Sequence, residues 1–238
     1  MRPLHPRYVW PKSFPPLSER ERAISDDWMH FWHNVLPKRY GSIERFNHGY
    51  PLKYLPDQPR FRTIEIGAGS GGHLEFEDLS RQEYHCIELR ENMSAEIERR
   101  FRGVIVKTGS CQDRMPYGDS YFDRAIAVHV LEHLPDLPRA ITELHRLLRP
   151  GGILAIVIPC DPGFAYEFAR QISSARTFRR RYNMPYMWLM RREHINSPAE
   201  IVSELRSGFE EIDRTYFPLR FVPVTTANLC LGLTFRRR

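Results

Sequence analysis

Four glycines in six residues, at 67, 69, 71 and 72, interrupt the run Arg62-Thr-Ile-Glu-Ile-Gly-Ala-Gly-Ser-Gly-Gly-His73. The four residues before them, Thr63–Ile66, read as a short apolar strand, and a helix is expected to resume at His73 and Leu74. A strand that breaks into glycines and re-forms as a helix gathers backbone N–H groups and a helix N-terminus at one point, where a ligand can approach closely. Gly67, Gly69 and Gly72 satisfy G-x-G-x-x-G, a dinucleotide pattern that is weak alone. Gly67, Gly69 and Gly71, with Glu65 two residues earlier, also read E-x-G-x-G-x-G. A pyrophosphate disfavours a carboxylate beside it, whereas a cationic ligand welcomes one. Glu88 stands 21 positions after Gly67, at the end of the next expected strand. A carboxylate there offers two acceptors to the vicinal hydroxyls of a ribose. His129, His133 and His194 are the candidate general bases, histidine being the side chain whose ordinary pKa lies near neutrality.

The elements that must position these groups alternate from Phe61 onward. Strands are expected at Thr63–Ile66, Tyr84–Glu88, Gly103–Lys107, Phe122–Val128 and Ile153–Ile158, with helices at 72–79, 92–101 and 137–148 between them. The pattern predicts an α/β fold, a Rossmann-like doubly wound sheet. Helical material is expected at 163–181 and at 198–207, and a terminal antiparallel pair at Phe209–Phe217 and Thr225–Phe235 completes seven strands. Residues 1–60 read differently. They carry nine prolines interleaved with aromatics, too many for solvated disorder. A helix over 18–36, with Ser18 as N-cap and Glu21 completing a capping box, would align Trp28, Phe31, Trp32 and Val35 on one face. Residues 1–60 are thus expected to form an N-terminal helical and aromatic extension, a packing segment or lid, on a domain spanning 61–238.

Composition bounds the rest. The 238 residues are 42% hydrophobic, with net charge +6 and pI about 9.3. There is no apolar run long enough to cross a bilayer and no visible secretory signal, so a cytoplasmic location is expected, with the inner membrane surface as a further place of contact. The four cysteines are widely spaced, and no metal site is expected. Nucleic acid is not the expected partner.

Three further segments carry a resemblance. Met115-Pro-Tyr-Gly-Asp-Ser-Tyr-Phe-Asp123, Val130-Leu-Glu-His-Leu134 and Glu143-Leu-His-Arg-Leu-Leu-Arg-Pro-Gly-Gly-Ile-Leu154 follow the glycine stretch in order. Together they resemble the type-11 family of class I S-adenosylmethionine (SAM)-dependent methyltransferases, whose segments read roughly L-P-F-x-D-x-S-F-D, x-L-E-H and E-x-x-R-V-L-K-P-G-G. The match covers about residues 62–160, and Arg192-Glu-His-Ile-Asn196 resembles a later family segment. SAM carries an ammonium and a sulfonium, which suits the acid at position 65. The resemblance implies that Glu65, Gly67, Ala68, Gly69 and Gly71 contact the methionine part of SAM and Glu88 its ribose. It places Val128 and His129 beside the sulfonium methyl. The family usually has Gly-Asp where this chain has Gly109-Ser110, so the adenine contact is open among Ser110, Cys111 and Gln112, with Asp113 as a substitute carboxylate.

The implied reaction is methyl transfer to a small-molecule or glycan-type acceptor, at oxygen in preference to nitrogen or carbon. The segment Arg176–Arg192 mixes six arginines with Tyr, Trp and Met. It suits a phosphorylated or lipid-linked acceptor, or a peripheral membrane contact. The competing readings are a nicotinamide-dependent oxidoreductase and a non-catalytic SAM-fold protein that binds through its arginines. Oligomeric state is not assigned.

Overall fold

Phe61–Ile66 (β1) is buried at every position but Arg62, as a strand between two helical layers must be. It lies inside a sheet, third from one edge, whose other strands are Gln82–Glu88 (β2), Ile105–Thr108 (β3), Phe122–Val128 (β4), Leu148–Pro159 (β5), Phe209–Phe217 (β6) and Cys230–Arg237 (β7). In the computed structural model, which describes residues 9–35 and 41–238, these pair in the order β3-β2-β1-β4-β5-β7-β6. The first five strands are parallel, and β7 inserts antiparallel between β5 and β6. The seven-stranded sheet with a terminal antiparallel pair is thus as the alternation predicts. Reversal of strand order at β1/β4 opens a crevice at the strand C-termini.

Some bounds move. β5 starts at Leu148 rather than Ile153, absorbing Arg149-Pro-Gly-Gly152 at a register shift opposite Phe122 and Arg124. Gly152 is needed there: a Cβ would lie 2.8 Å from the Arg149 carbonyl oxygen. The helix expected after the glycines is replaced by two 3-10 turns, His73–Phe76 and Leu79–Arg81. The cause is a buried polar knot. His73 and Arg124 both donate to Glu77 Oε1, at 2.7 and 2.8 Å, and Gln82 donates to its other oxygen. Burial alone would raise the Glu77 pKa, but the His73 hydrogen bond and the Arg124 charge outweigh it and hold it at about 2. Residues 225–227 are a 3-10 turn, not the start of β7. The arginine tail is not a loose end, since Arg236 and Arg237 belong to β7 and the Arg238 N–H donates to Gly208.

The helices are Glu19–Val35 (α1), Gly41–Gly49 (α2), Glu91–Arg100 (α3), Leu137–Leu147 (α4), Phe164–Ile172 (α5), Ser174–Tyr182 (α6), Tyr186–Glu193 (α7) and Pro198–Leu205 (α8). α2 and α7 are additional to the sequence expectation. Ser18 and Glu21 form the expected capping box of α1. Trp28 is buried, edge-on to Phe178 of α6 and Tyr186 of α7, 5.1 and 5.5 Å between ring centres. Phe31 joins this cluster; the side chains of Trp32 and Val35 lie outside the described residues. The N-terminal stretch also straps the far side: Lys12 donates to the Ile195 carbonyl and to Glu200 Oε1, and the Trp10 indole N–H to Asn196.

Candidate functional site

The parallel strands deliver their C-terminal loops to one edge. Backbone N–H groups just beyond the strands lock this edge: Gly67 donates to Ile87, Gly109 to Glu88 and His129 to Val157. Gly67, Gly69 and Gly71 all have left-handed backbones, with φ of 62°, 57° and 84°. They are glycines for different reasons. A Cβ on Gly67 would sit 2.5 Å from Val130 Cγ2, and one on Gly71 2.7 Å from the Phe101 ring. A Cβ on Gly69 would meet nothing within 4 Å, so its side faces open space at the loop tip. That is the position where a ligand can lie against bare backbone.

Glu88 is joined to that tip. Its Oε2 accepts the Gly69 N–H at 2.9 Å and its Oε1 accepts the Arg90 N–H at 3.0 Å. Each carboxylate oxygen retains a lone pair for a hydroxyl donor. The sequence expectation for Glu88 and the glycines therefore meets at one place. Glu65 sits differently from expectation. It is buried, with the Tyr84 hydroxyl donating to Oε2 at 2.9 Å, and burial pushes its pKa up to about 8. Its carboxylate is packed in the sheet instead of lining the open edge. Ala68 is buried in the apolar cluster that holds Tyr84, and Val128, half-buried at the end of β4, packs against that cluster.

The third loop sorts its candidates. Cys111 is buried in the main core, its thiol pushed by burial to about 12, so it supplies packing. Ser110 Oγ accepts the Gln112 N–H at 3.1 Å, and Gln112 Oε1 accepts the Asp136 N–H at 2.6 Å. Asp113, the substitute carboxylate the resemblance offers, is exposed and paired with Arg139 at 3.1 Å.

The three histidines converge. After β4 the chain turns through His129, itself at φ 53°, into a 3-10 turn over Leu131–His133. The Glu132 carbonyl accepts the N–H groups of Ile195 and Asn196, and the Asn196 amide donates to Leu131 and Leu134. This latch brings His194 to His133, 5.3 Å between ring centres. Glu132 lies buried among them: Oε1 is 3.1 Å from His129 Nδ1 and 3.8 Å from His133 Nε2. Burial would raise the Glu132 pKa, but the His129 hydrogen bond and the His133 charge outweigh it and lower it. His133 also faces Glu193, at 3.5 Å. Burial disfavours its charge, yet Glu193 and Glu132 together raise its pKa. His194 Nδ1 is held by Asp161 Oδ2 at 2.8 Å, and Asp161 in turn accepts from the buried Arg170 at 2.9 Å.

Glu132, Asp161, Glu193 and Arg170 were not legible as site residues. Only Glu132 left a signal, the spacing His129-x-x-Glu132-His133, with bases on both sides of one acid. Ligating atoms of Glu132, His133 and His194 lie within 4.8 Å of one another, a set with N and O donors that a divalent cation could use, where the sequence predicts no metal site.

The arginine segment is divided. Arg181 pairs with Asp27 at 2.9 Å and Arg192 donates to the Pro15 carbonyl, both closing the N-terminal strap. Arg176, Arg179 and Arg180 are exposed. A groove of about 580 Å³ runs between Phe14 and the α7 residues Met187, Trp188, Arg191 and Arg192. No helix among the described residues is long and apolar enough to cross a membrane.

Residues 64–156 match a family described as a methyltransferase domain. A rice 2-methyl-6-phytyl-1,4-hydroquinone methyltransferase is 29% identical over 114 residues, 44% of this chain and 31% of that protein. The chain thus spans about a third of that relative's length. A ubiquinone/menaquinone biosynthesis C-methyltransferase from Shewanella is 22% identical over 198 residues, covering 73% of this chain and 76% of its own. Among solved structures, a TehB-like SAM-dependent methyltransferase from Corynebacterium glutamicum superposes with a TM-score of 0.61 at 15% identity, over 91% of this chain and 100% of that one.

Proposed function

We propose that this chain, whose residues 64–156 match a methyltransferase domain, is a class I SAM-dependent methyltransferase that methylates a small hydroxyl-bearing acceptor at oxygen. SAM, when bound, supplies an electrophilic methyl group on a sulfonium. The loop of Gly67, Gly69 and Gly71 would give the methionine end a bare backbone to lie on, open at Gly69, and the buried Glu65, tied to Tyr84, ends the strand that leads into it. Glu88 takes the ribose hydroxyls on its free lone pairs, and Ser110 and Gln112 border the adenine. Val128 and His129, at the end of β4, flank the transferring methyl.

The observation that carries the reading is the histidine cluster on Glu132. A hydroxyl acceptor methylated by SAM would have to lose its proton to a nearby base. His129 Nε2 takes it. Glu132 on Nδ1 fixes the ring and stabilises the imidazolium that forms, the role a carboxylate plays behind any catalytic histidine. His133 and His194 position the acceptor oxygen, His194 with Nδ1 tied to Asp161. The groove beside Trp188, with Arg191 and Arg192, suits an anionic group on a glycan-type or other small acceptor. The residue 1–60 extension acts as a lid, since α1 closes over α6 and α7.

A second reading, methylation at carbon, is favoured by the quinol and quinone relatives. A phenol or hydroquinone ring attacks through carbon once its O–H is deprotonated, so the same base serves. The test is a screen with methyl-labelled SAM against hydroxylated acceptors, followed by His129→Gln. A fall in kcat of about 10²-fold or more, with S-adenosylhomocysteine affinity kept, supports the base. Unchanged kcat would remove it. Mass fragmentation of the product separates O-methyl from C-methyl.

A further inference from the structure

α5 has two unlike faces. Tyr166 and Arg170 point inward, with Arg170 buried against Asp161 behind the histidine cluster. Phe164, Phe168 and Ile172, spaced by four on one face, are 77%, 57% and 62% exposed. The N-terminal end of α5 abuts the β6–β7 connection: a Cβ on Gly163 would lie 2.9 Å from the Thr225 carbonyl oxygen. That connection reads Pro218-Leu-Arg-Phe-Val-Pro-Val224, with Phe221 98% exposed and Leu219 47% exposed. It is braced from beneath. Fully buried Asn228 accepts the Leu219 N–H at 2.7 Å and donates to the carbonyls of Val222 and Val224 at 2.8 and 3.0 Å. A fixed scaffold therefore holds phenylalanines in water, and a contiguous apolar surface of this kind marks a contact site.

We propose that the α5 stripe and the β6–β7 connection dock the protein on an anionic lipid bilayer. Charge selects this occupant. Arg220 sits in the apolar tip, and exposed Arg176, Arg179 and Arg180 follow four to eight residues beyond Ile172. Glu167, the acid on α5, is taken by Arg170. Apolar side chains rimmed by arginines insert at the headgroup boundary, where anionic lipids neutralise the rim. Two copies meeting through this face would instead bring like charges together. The apolar residues of the arginine segment itself are not the membrane face, because Tyr186, Leu189 and Met190 are buried on Trp28. The β6–β7 connection lies at the C-terminal edge of β5, where Cys230 pairs with Pro159, so the docked face borders the histidine cluster. The inference is independent of the methyl acceptor.

The full chain is sedimented with vesicles of phosphatidylcholine and phosphatidylglycerol, and with phosphatidylcholine alone, at low and high salt. The expected result is salt-sensitive binding to the anionic vesicles, weakened about tenfold by Phe221→Ser and again by Phe168→Ser. Arg179→Gln with Arg180→Gln should weaken it about fivefold per charge. All four positions are exposed, so folding is expected to persist, and S-adenosylhomocysteine titration of each variant checks it. Folded wild type that stays in solution at low salt would overturn the proposal. So would vesicle binding indifferent to both Phe substitutions. A dimer in sedimentation velocity that Phe221→Ser dissolves, without vesicle binding, would assign the face to a second copy instead.

Discussion

Gly69 and Gly103 form a matched pair in which the same substitution should have two outcomes. Both have left-handed backbones, at φ 57° and 88°, and at neither would a Cβ meet any protein atom within 4 Å. Gly103 lies in the turn between α3 and β3, away from the loop tip; Gly69 is the tip, one hydrogen bond from Glu88. Alanine in a left-handed conformation costs ~1–2 kcal/mol. The stiffer unfolded chain offsets ~0.4–1 kcal/mol of that. Each variant should therefore lose ~1 kcal/mol, a fall in Tm of about 2–4 °C for a chain of this size. The difference lies in the ligand. At Gly69 the methyl enters the space where the cofactor is proposed to lie, so S-adenosylhomocysteine affinity should fall at least about tenfold, ~1.4 kcal/mol. At Gly103 it should not change. The assay is calorimetric titration of both variants at a temperature where both are folded. Equal affinity for Gly69→Ala and wild type would refute the reading of the open space above Gly69. Equal loss in both variants would show that the titration reports folding and not the site.

Other outcomes follow from the same contacts. His133 has a raised pKa, so its contribution to stability is complete below its ordinary 6.5 and is lost as pH rises through the raised value. Glu132, Glu193 and Asp161 are lowered, so theirs is complete above the ordinary carboxylate range and is lost as pH falls through the lowered values. Urea denaturation across pH should show a plateau in mildly acidic solution, and His133→Asn should flatten its alkaline limb. Trp28→Ala should cost ~3–5 kcal/mol where α1 packs on α6 and α7, and protease should then cut the N-terminal stretch first. Stability unchanged within experimental error would contradict that packing. A chelator should leave turnover unchanged, because Glu193 and Asp161 already pair with His133 and His194. Activity lost to chelator and restored by a divalent ion would reassign Glu132, His133 and His194 as ligands.

What the sequence reveals is local and what it hides is long-range. The glycine loop and Glu88 are legible because strand, turn and acid lie within 30 residues of one another, and the Ser18–Glu21 cap because it spans one turn. The helix after the glycines fails because His73 and Glu77 are drawn to Arg124, nearly fifty residues away, which no period of the local chain encodes. The histidine cluster has the same character. His129 and His133 show in the sequence, but their meeting with His194 depends on the Asn196 latch, and the burial of Asp161 and Arg170 depends on how α5 folds back. Cys111 misleads in the other direction: it lies in the loop after β3, where the sequence suggests an adenine contact, while its side chain belongs to the core.

The most direct test of the central claim is a titration of the wild-type chain with S-adenosylhomocysteine and, in parallel, with NADH. Micromolar binding of the first and none of the second is the predicted result, since the edge combines bare glycine backbone at Gly69 with the Glu88 carboxylate bonded to it, the group proposed to accept the ribose hydroxyls. NADH binding without S-adenosylhomocysteine binding, by a protein shown to be folded, would contradict it.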